Sequence, residues 1–221
     1  MLNHKYNHSA SIIGRIFVNF INFATNITVM SNFIKEYFRR KRILGSAKAQ
    51  TGHFTNLKNV ESVSFAYALH SEADISDVME ISDFLKWKSV KVTAIIIESE
   101  KGIFQKLDNL EKLKEERNII TVSSTDLDWL GDMKEGVAEE FFDARSNLFI
   151  NFNSTDNFTL SRIAQRVNAS MVIGMKNEVD IPYNFIVGDK DGAPLQPIEY
   201  LNQIFHYLKI IKTDCIEQNN G

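Results

Sequence analysis

His70 and Glu72, two positions apart in the segment ALHSEAD, are a pair whose types could do acid–base chemistry. An imidazole titrates near neutrality, and a neighbouring carboxylate can orient it or share its proton. The richer candidate is the polar run Asn151 to Asn157, NFNSTDN, which leads into a helical pattern. Asn151, Asn153, Ser154 and Thr155 bring amides and hydroxyls there, and the free N–H groups of a helix start attract phosphate or sugar oxygens. A plainer reading competes with it: Ser154, Thr155 or Asp156 caps the helix, satisfies the orphan donors of its first turn and does nothing more. Asp126-Leu127-Asp128 has the spacing of a metal-binding DxD, but three residues match by chance often, and capping of a helix carrying Trp129 and Leu130 explains it as well.

Other chemistries lack their residues. His53, His70 and His206 have no second ligand at helical or hairpin spacing, so no metal site is expected. Gly188 to Gly192, GDKDG, is turn chemistry without the later ligands of a calcium loop. The single cysteine, Cys215, stands in a polar tail and can form no internal disulfide, which fits a reducing compartment. The loops expected after the first, third and fourth strands contain no glycine. Dinucleotide fingerprints and P-loops need glycine there, so that backbone can approach phosphate. No cofactor is expected.

The elements that must position these residues alternate along the chain. Val60–Leu69, Val90–Glu98, Asn118–Ser123, Asn147–Phe152, Ser170–Gly174 and Tyr183–Val187 read as strands, rich in β-branched and aromatic residues. Ile95-Ile96-Ile97 implies burial on both faces. Between them Asp74–Lys88, Ile103–Arg117, parts of Asp126–Asp143, Asp156–Val167 and Pro197–Lys212 carry helical spacing. The alternation predicts an α/β fold: a Rossmann-like three-layer domain with a mostly parallel sheet of about six strands, over residues 59–213. The last two strands are joined by a stretch too short for a helix, which favours one antiparallel edge. Ligands of such sheets sit beyond the carboxyl ends of the strands, where His70, Glu72 and the Asn151 loop fall.

Three blocks of this body resemble a known family: Asn147 to Gly174 (NLFINFNSTDNFTLSRIAQRVNASMVIG), Asp126 to Gly131 (DLDWLG) and Ile204 to Ile211 (IFHYLKII). They are similar to an uncharacterised family common in Bacteroidota, domain of unknown function 6913. The resemblance covers roughly residues 31–212, including a basic amino-terminal helix. In that family an aspartate often stands at the position of Asn151. The resemblance implies the fold and brings no activity.

Charge divides the chain. Between Ser31 and Lys58, Lys35, Arg39, Arg40, Lys41, Arg42, Lys48 and Lys58 face Glu36 alone, a balance of +6. Residues 1–30 add +2, so with an overall charge of −3 the rest of the chain carries −11. Phosphate contacts need clustered Lys and Arg, so the acidic body is a poor nucleic-acid binder. Residues 31–58 read as a basic amphipathic helix, capped by Ser31, with Phe33, Ile34, Tyr37 and Phe38 near one face, followed by a linker from Gly45. Its cluster Arg39, Arg40, Lys41 and Arg42 could meet a protein partner or an anionic surface. Residues 1–30 form an Asn-rich leader in which Arg15, Asn19, Asn22 and Asn26 interrupt the apolar run, a poor membrane span. Met30 offers an alternative start, and an interfacial anchor or a signal peptide are the other readings. Residues 214–221 are a tail.

The functional expectation is a cytoplasmic, non-enzymatic interaction or binding module, peripheral at the inner face of the membrane if the basic helix engages lipid. The alternative is a phosphosugar- or nucleotide-sugar-binding half domain similar to one half of a glycosyltransferase; a flavodoxin-like mononucleotide binder is a third reading.

Overall fold

The computed structural model describes residues 30–45, 55–88, 90–152, 157–175, 183–188 and 195–210. The leader, Asn153 to Asp156, most of the 188–192 turn, His53 and the tail with Cys215 lie outside the described residues. The chain divides into two compact units, Met1–Gly45 and Ser46–Gly221. In the first, residues 30–45 form helix α1. Residue 30 is already helical, so Ser31 lies inside the helix instead of capping it.

The second unit is built on one sheet. Its strands are β1 (Ser62–Leu69), β2 (Lys91–Glu98), β3 (Ile119–Val122), β4 (Ser146–Asn151), β5 (Ala169–Gly174) and β6 (Phe185–Ile186). They lie in the order β3-β2-β1-β4-β5-β6, all parallel. The helices are α2 (Glu72–Trp87), α3 (Leu110–Glu115), α4 (Glu139–Asp143), α5 (Phe158–Arg166) and α6 (Pro197–Ile210). Ile75, Val78, Ile81 and Leu85 of α2 join Leu110 and Leu113 of α3 and Tyr200 to Leu208 of α6 on one face of the sheet. Leu160, Ile163 and Ala164 of α5 and Phe141 of α4 cover the other. The chain moves outward from β1 to β3, then restarts at β4 and moves the opposite way. Crossovers of one hand put helices on opposite faces when the direction reverses, which produces the three layers.

Three expectations need correction. The edge is parallel throughout: Asn184 donates its N–H to the Val172 carbonyl at 2.9 Å and accepts the Val172 N–H on its side chain at 2.7 Å. This clamp starts β6 alongside β5 in the same direction. The expected helix over Ile103–Arg117 is a 3-10 turn (Phe104–Lys106) followed by α3, because the Glu72 carboxylate takes the N–H groups of Asp108 and Asn109 at 3.1 Å each. Asp126–Asp143 is helical only in part and broken at Gly131 and Gly136, as expected, with α4 its α-helical piece; what needs correction is the helix expected to follow Asp126. Gly131 and Gly136 stand at φ 91° and 84°, left-handed values that an α-helix does not allow, and Ala138 follows at 57°. No helix carries Trp129 and Leu130.

That non-helical stretch holds α5 in place. Asp132, itself buried, meets the buried Arg162 at 3.0 Å, while Arg162 also reaches Gln165 at 2.7 Å and Arg166 lies 3.8 Å from the carboxylate. Thr159 donates to the Gly131 carbonyl at 2.7 Å. Removing one partner of a buried ion pair strands the other charge in low dielectric. Asp132→Ala should therefore cost about 3–5 kcal/mol in urea unfolding, whereas the double change Asp132→Leu with Arg162→Met should recover most of the loss. Equal losses in both variants would show that packing, not the stranded charge, dominates.

Candidate functional site

Beyond the carboxyl ends of the strands the chain must turn, and each turn exposes backbone N–H groups that need acceptors. After β1, Asp74 supplies one: its carboxylate accepts from the N–H groups of His70 at 2.6 Å and Ser71 at 2.8 Å. It also takes a bond from the Tyr67 hydroxyl at 3.3 Å, and Asp77 takes another at 3.2 Å. Burial, together with Asp74 and Asp77, holds the Tyr67 phenol protonated well above its ordinary range, so it acts as a donor.

After β2 the same part is played by Glu98, which is 5% exposed. One carboxylate oxygen accepts from Gly102 N–H at 2.6 Å and Phe104 N–H at 3.2 Å; the other accepts from Ser124 N–H at 2.6 Å. Burial alone would raise this carboxyl, but the bonds from Ser124, Phe104 and Gly102 outweigh it and hold the group below its ordinary value. After β3, Asp126 accepts from Ser123 N–H at 2.8 Å and Ser123 Oγ at 2.7 Å. Carboxylates thus already take several of the donors that a phosphate would seek in these loops.

The switch of direction lies between β1 and β4, and the end of β4 differs. Asn151 is fully buried, and its Nδ2 donates to the Tyr183 hydroxyl at 2.7 Å while Oδ1 has no partner among the described residues. Tyr183 reaches this point because Gly174, paired with Asn151 across the sheet, has no side chain: a Cβ there would stand 2.7 Å from the tyrosine ring.

Of the residues expected to form a site, His70 is exposed at the end of β1. The Glu72 carboxylate is turned to the loop before α3, where it also accepts from the Asn109 side chain, and no bond joins it to His70 among the described residues. Asn151 lies one strand away from β1's end, and Asn153, Ser154 and Thr155 lie outside the described residues. Asn157 supplies the cap of α5, accepting the Leu160 N–H at 3.1 Å. The DxD pair is engaged in turns, Asp126 as above and Asp128 with Leu130 N–H at 2.8 Å and Asp132 N–H at 2.9 Å. Among the described residues no group of three or more His, Cys, Asp or Glu could hold a metal ion. Of the basic cluster, Arg40 and Lys41 are exposed on α1, while Arg39 and Arg42 are half-buried.

The sequence did not point to an open groove of about 460 Å³ beside β3. Phe104, Leu107 and Leu110 line it together with Glu111, Lys114 and Thr121. Glu98 ties both of its walls, the turn at Phe104 and the turn at Ser124.

A protein-family model described as "Family of unknown function (DUF6913)" matches residues 33–211. The chain belongs to this family. Neither a curated protein nor a solved structure matches it. The match to DUF6913 takes in most of α1 and nearly all of the sheet domain. It ends one residue past the described part of α6.

Glu98 gives a pH signature. Its folded value lies below the ordinary 4.5, so its contribution is complete above about pH 4.5 and is lost as pH falls through the lower folded value. Hydrogen bonds to a charged group contribute about 1.5–3 kcal/mol each way of breaking them. Glu98→Gln should lower stability at pH 7 by roughly 2 kcal/mol, and the gap to wild type should narrow as pH drops below 4. A gap that stays constant from pH 7 to pH 3 would refute this role.

Proposed function

We propose that this protein is a binding module that attaches to anionic membrane surfaces through α1, with the sheet domain carried alongside, at the cytoplasmic face. The observation that carries the reading is the surface of α1. Met30, Phe33, Ile34, Tyr37 and Leu44 fall within one stripe at 100° per residue and are 61%, 72%, 43%, 59% and 59% exposed. Apolar residues in a patch of this kind mark a surface that meets something else. Arg40 and Lys41 flank or interrupt the stripe near its carboxyl end, and Lys35, Arg39 and Arg42 lie toward the opposite side. A basic face and an aromatic-rich face on one helix suit the boundary between lipid headgroups and acyl chains. No described helix is long and apolar enough to cross a membrane, so the attachment proposed is interfacial. Inclusion of residues from 33 onward in the family match supports treating α1 as part of the family's common chain.

The closed loops after β1, β2 and β3 support binding over nucleotide chemistry, because carboxylates occupy the donors and add negative charge where phosphates would come. Flotation of the full chain with vesicles tests the reading. Vesicles with a third phosphatidylglycerol should carry the protein up the gradient, and pure phosphatidylcholine should carry much less. Arg40→Ala with Lys41→Ala should weaken binding by about 30-fold, at about 1 kcal/mol per basic residue near the surface. Phe33→Asp should abolish it. Binding that ignores both the lipid charge and these substitutions would sink the proposal.

A second reading has its own observation, the unpartnered Oδ1 of buried Asn151 at the switch of strand direction. An uncharged ligand carrying a donor, such as a sugar hydroxyl, would complete it. In a thermal-shift screen, neutral sugars at millimolar concentration should raise the melting temperature of wild type and not of Asn151→Leu. Stabilisation by nucleotide sugars and phosphosugars alone would turn the site toward the anionic ligands that the carboxylates disfavour.

A further inference from the structure

We propose that the outer edge of β3 and the groove beside it take up an extended, cationic peptide segment of a partner protein as an additional strand of the sheet. β3 is the edge strand of the six-stranded sheet. Parallel strands turn alternate residues toward each neighbour, and the Asn118 carbonyl accepts the Ala94 N–H of β2 at 2.8 Å. Ile120 therefore faces β2, while the Ile119 carbonyl and both backbone groups of Thr121 face outward. No described hydrogen bond engages any of those three outward groups.

The rest of this edge is self-closed. The Ile119 N–H donates to the Glu116 carbonyl at 3.0 Å, and the Ser123 N–H donates to the Asp126 carboxylate at 2.8 Å. What remains open is a window with the spacing of one strand residue: an acceptor, a donor and a second acceptor. One residue of an added parallel strand can meet the first two with its own N–H and C=O, and the N–H two residues further on meets the third. An exposed edge of this kind is a template for another chain unless something blocks it.

The groove supplies the side-chain half of the recognition. Its volume of about 460 Å³ lies in the range of ligand pockets, roughly 300–1,000 Å³. Phe104, Leu107 and Leu110 offer an apolar lining immediately beside Thr121. Glu98 holds both walls from beneath, so the cleft is preformed and little ordering is needed on binding. At the rim Lys114 is already paired with Glu111 at 2.7 Å, and the chain beyond residue 58 carries −11. A segment with an apolar side chain for the cleft and Lys or Arg around it is the complement to this surface.

Thr121→Pro isolates the claim. It removes the outward N–H and leaves every bond between β3 and β2 in place, and edge strands tolerate proline when the missing N–H faced solvent. The probe is a phage-displayed library of random heptapeptides, selected on the full-length protein. The expected result is enrichment of sequences that combine Lys or Arg with alternate apolar residues. Synthetic copies should bind wild type and Thr121→Val alike, bind Thr121→Pro at least tenfold more weakly, and slow amide exchange at Thr121 in the wild-type protein. This last reading stands even if the proline variant folds poorly. Failure to enrich any sequence, peptide binding that leaves Thr121 exchange unchanged, or equal affinity for a folded Thr121→Pro variant would each overturn the proposal. So would a dimer in sedimentation that Thr121→Pro dissolves, since the edge would then belong to a second copy of this chain.

Discussion

Buried or half-buried amide groups must find acceptors, and at the carboxyl edge of this sheet the acceptors are carboxylates of the loops themselves. Asp74, Glu98 and Asp126 each collect N–H groups that have no partner in a helix or strand. Among them Glu98 spans the farthest, joining the turn after β2 to the turn after β3. The sheet edge, the cleft beside β3 and the start of α3 all take their shape from such bonds. In other folds of this order, glycine loops leave the donors free for a phosphate. Here carboxylates take up donors in the described loops after β1, β2 and β3 within the protein itself.

Local pattern carried most of the fold. The alternation of apolar runs located all six strands within a few residues, and the Ile95 to Ile97 run told correctly that β2 is covered on both sides. What the pattern could not show were effects that depend on distant residues. The helix expected over Ile103 to Arg117 has ordinary spacing, yet Glu72, more than thirty positions earlier, diverts the backbone at Asp108 and Asn109. The parallel direction of β6 rests on Asn184, whose backbone and side chain both bond Val172, and on the Val187 N–H meeting the Gly174 carbonyl. Neither has a local signature.

The site was legible in part. Asn151 stood out as a polar residue ending a buried strand, but its partner Tyr183 comes from the far side of β5 and carries no motif. The two aspartates of DLD looked like metal ligands or helix caps, and they are turn acceptors. The open window at Thr121 was invisible, since it depends on which strand lies at the edge. A charge count, by contrast, needs no structure: the basic arm and acidic body were plain in the sequence, and α1 adds the apolar stripe that gives the arm a direction.

Gly174 and Tyr183 compete for the same few cubic ångströms, since a methyl group at one would stand 2.7 Å from the ring of the other. The two positions therefore constrain each other by volume. A relative could carry alanine or serine at 174 only if residue 183 had first become small or turned away, and Asn151 would then lose the hydroxyl that its amide now meets. Substitutions at these three places should travel together across the family, in an order set by volume before hydrogen bonding.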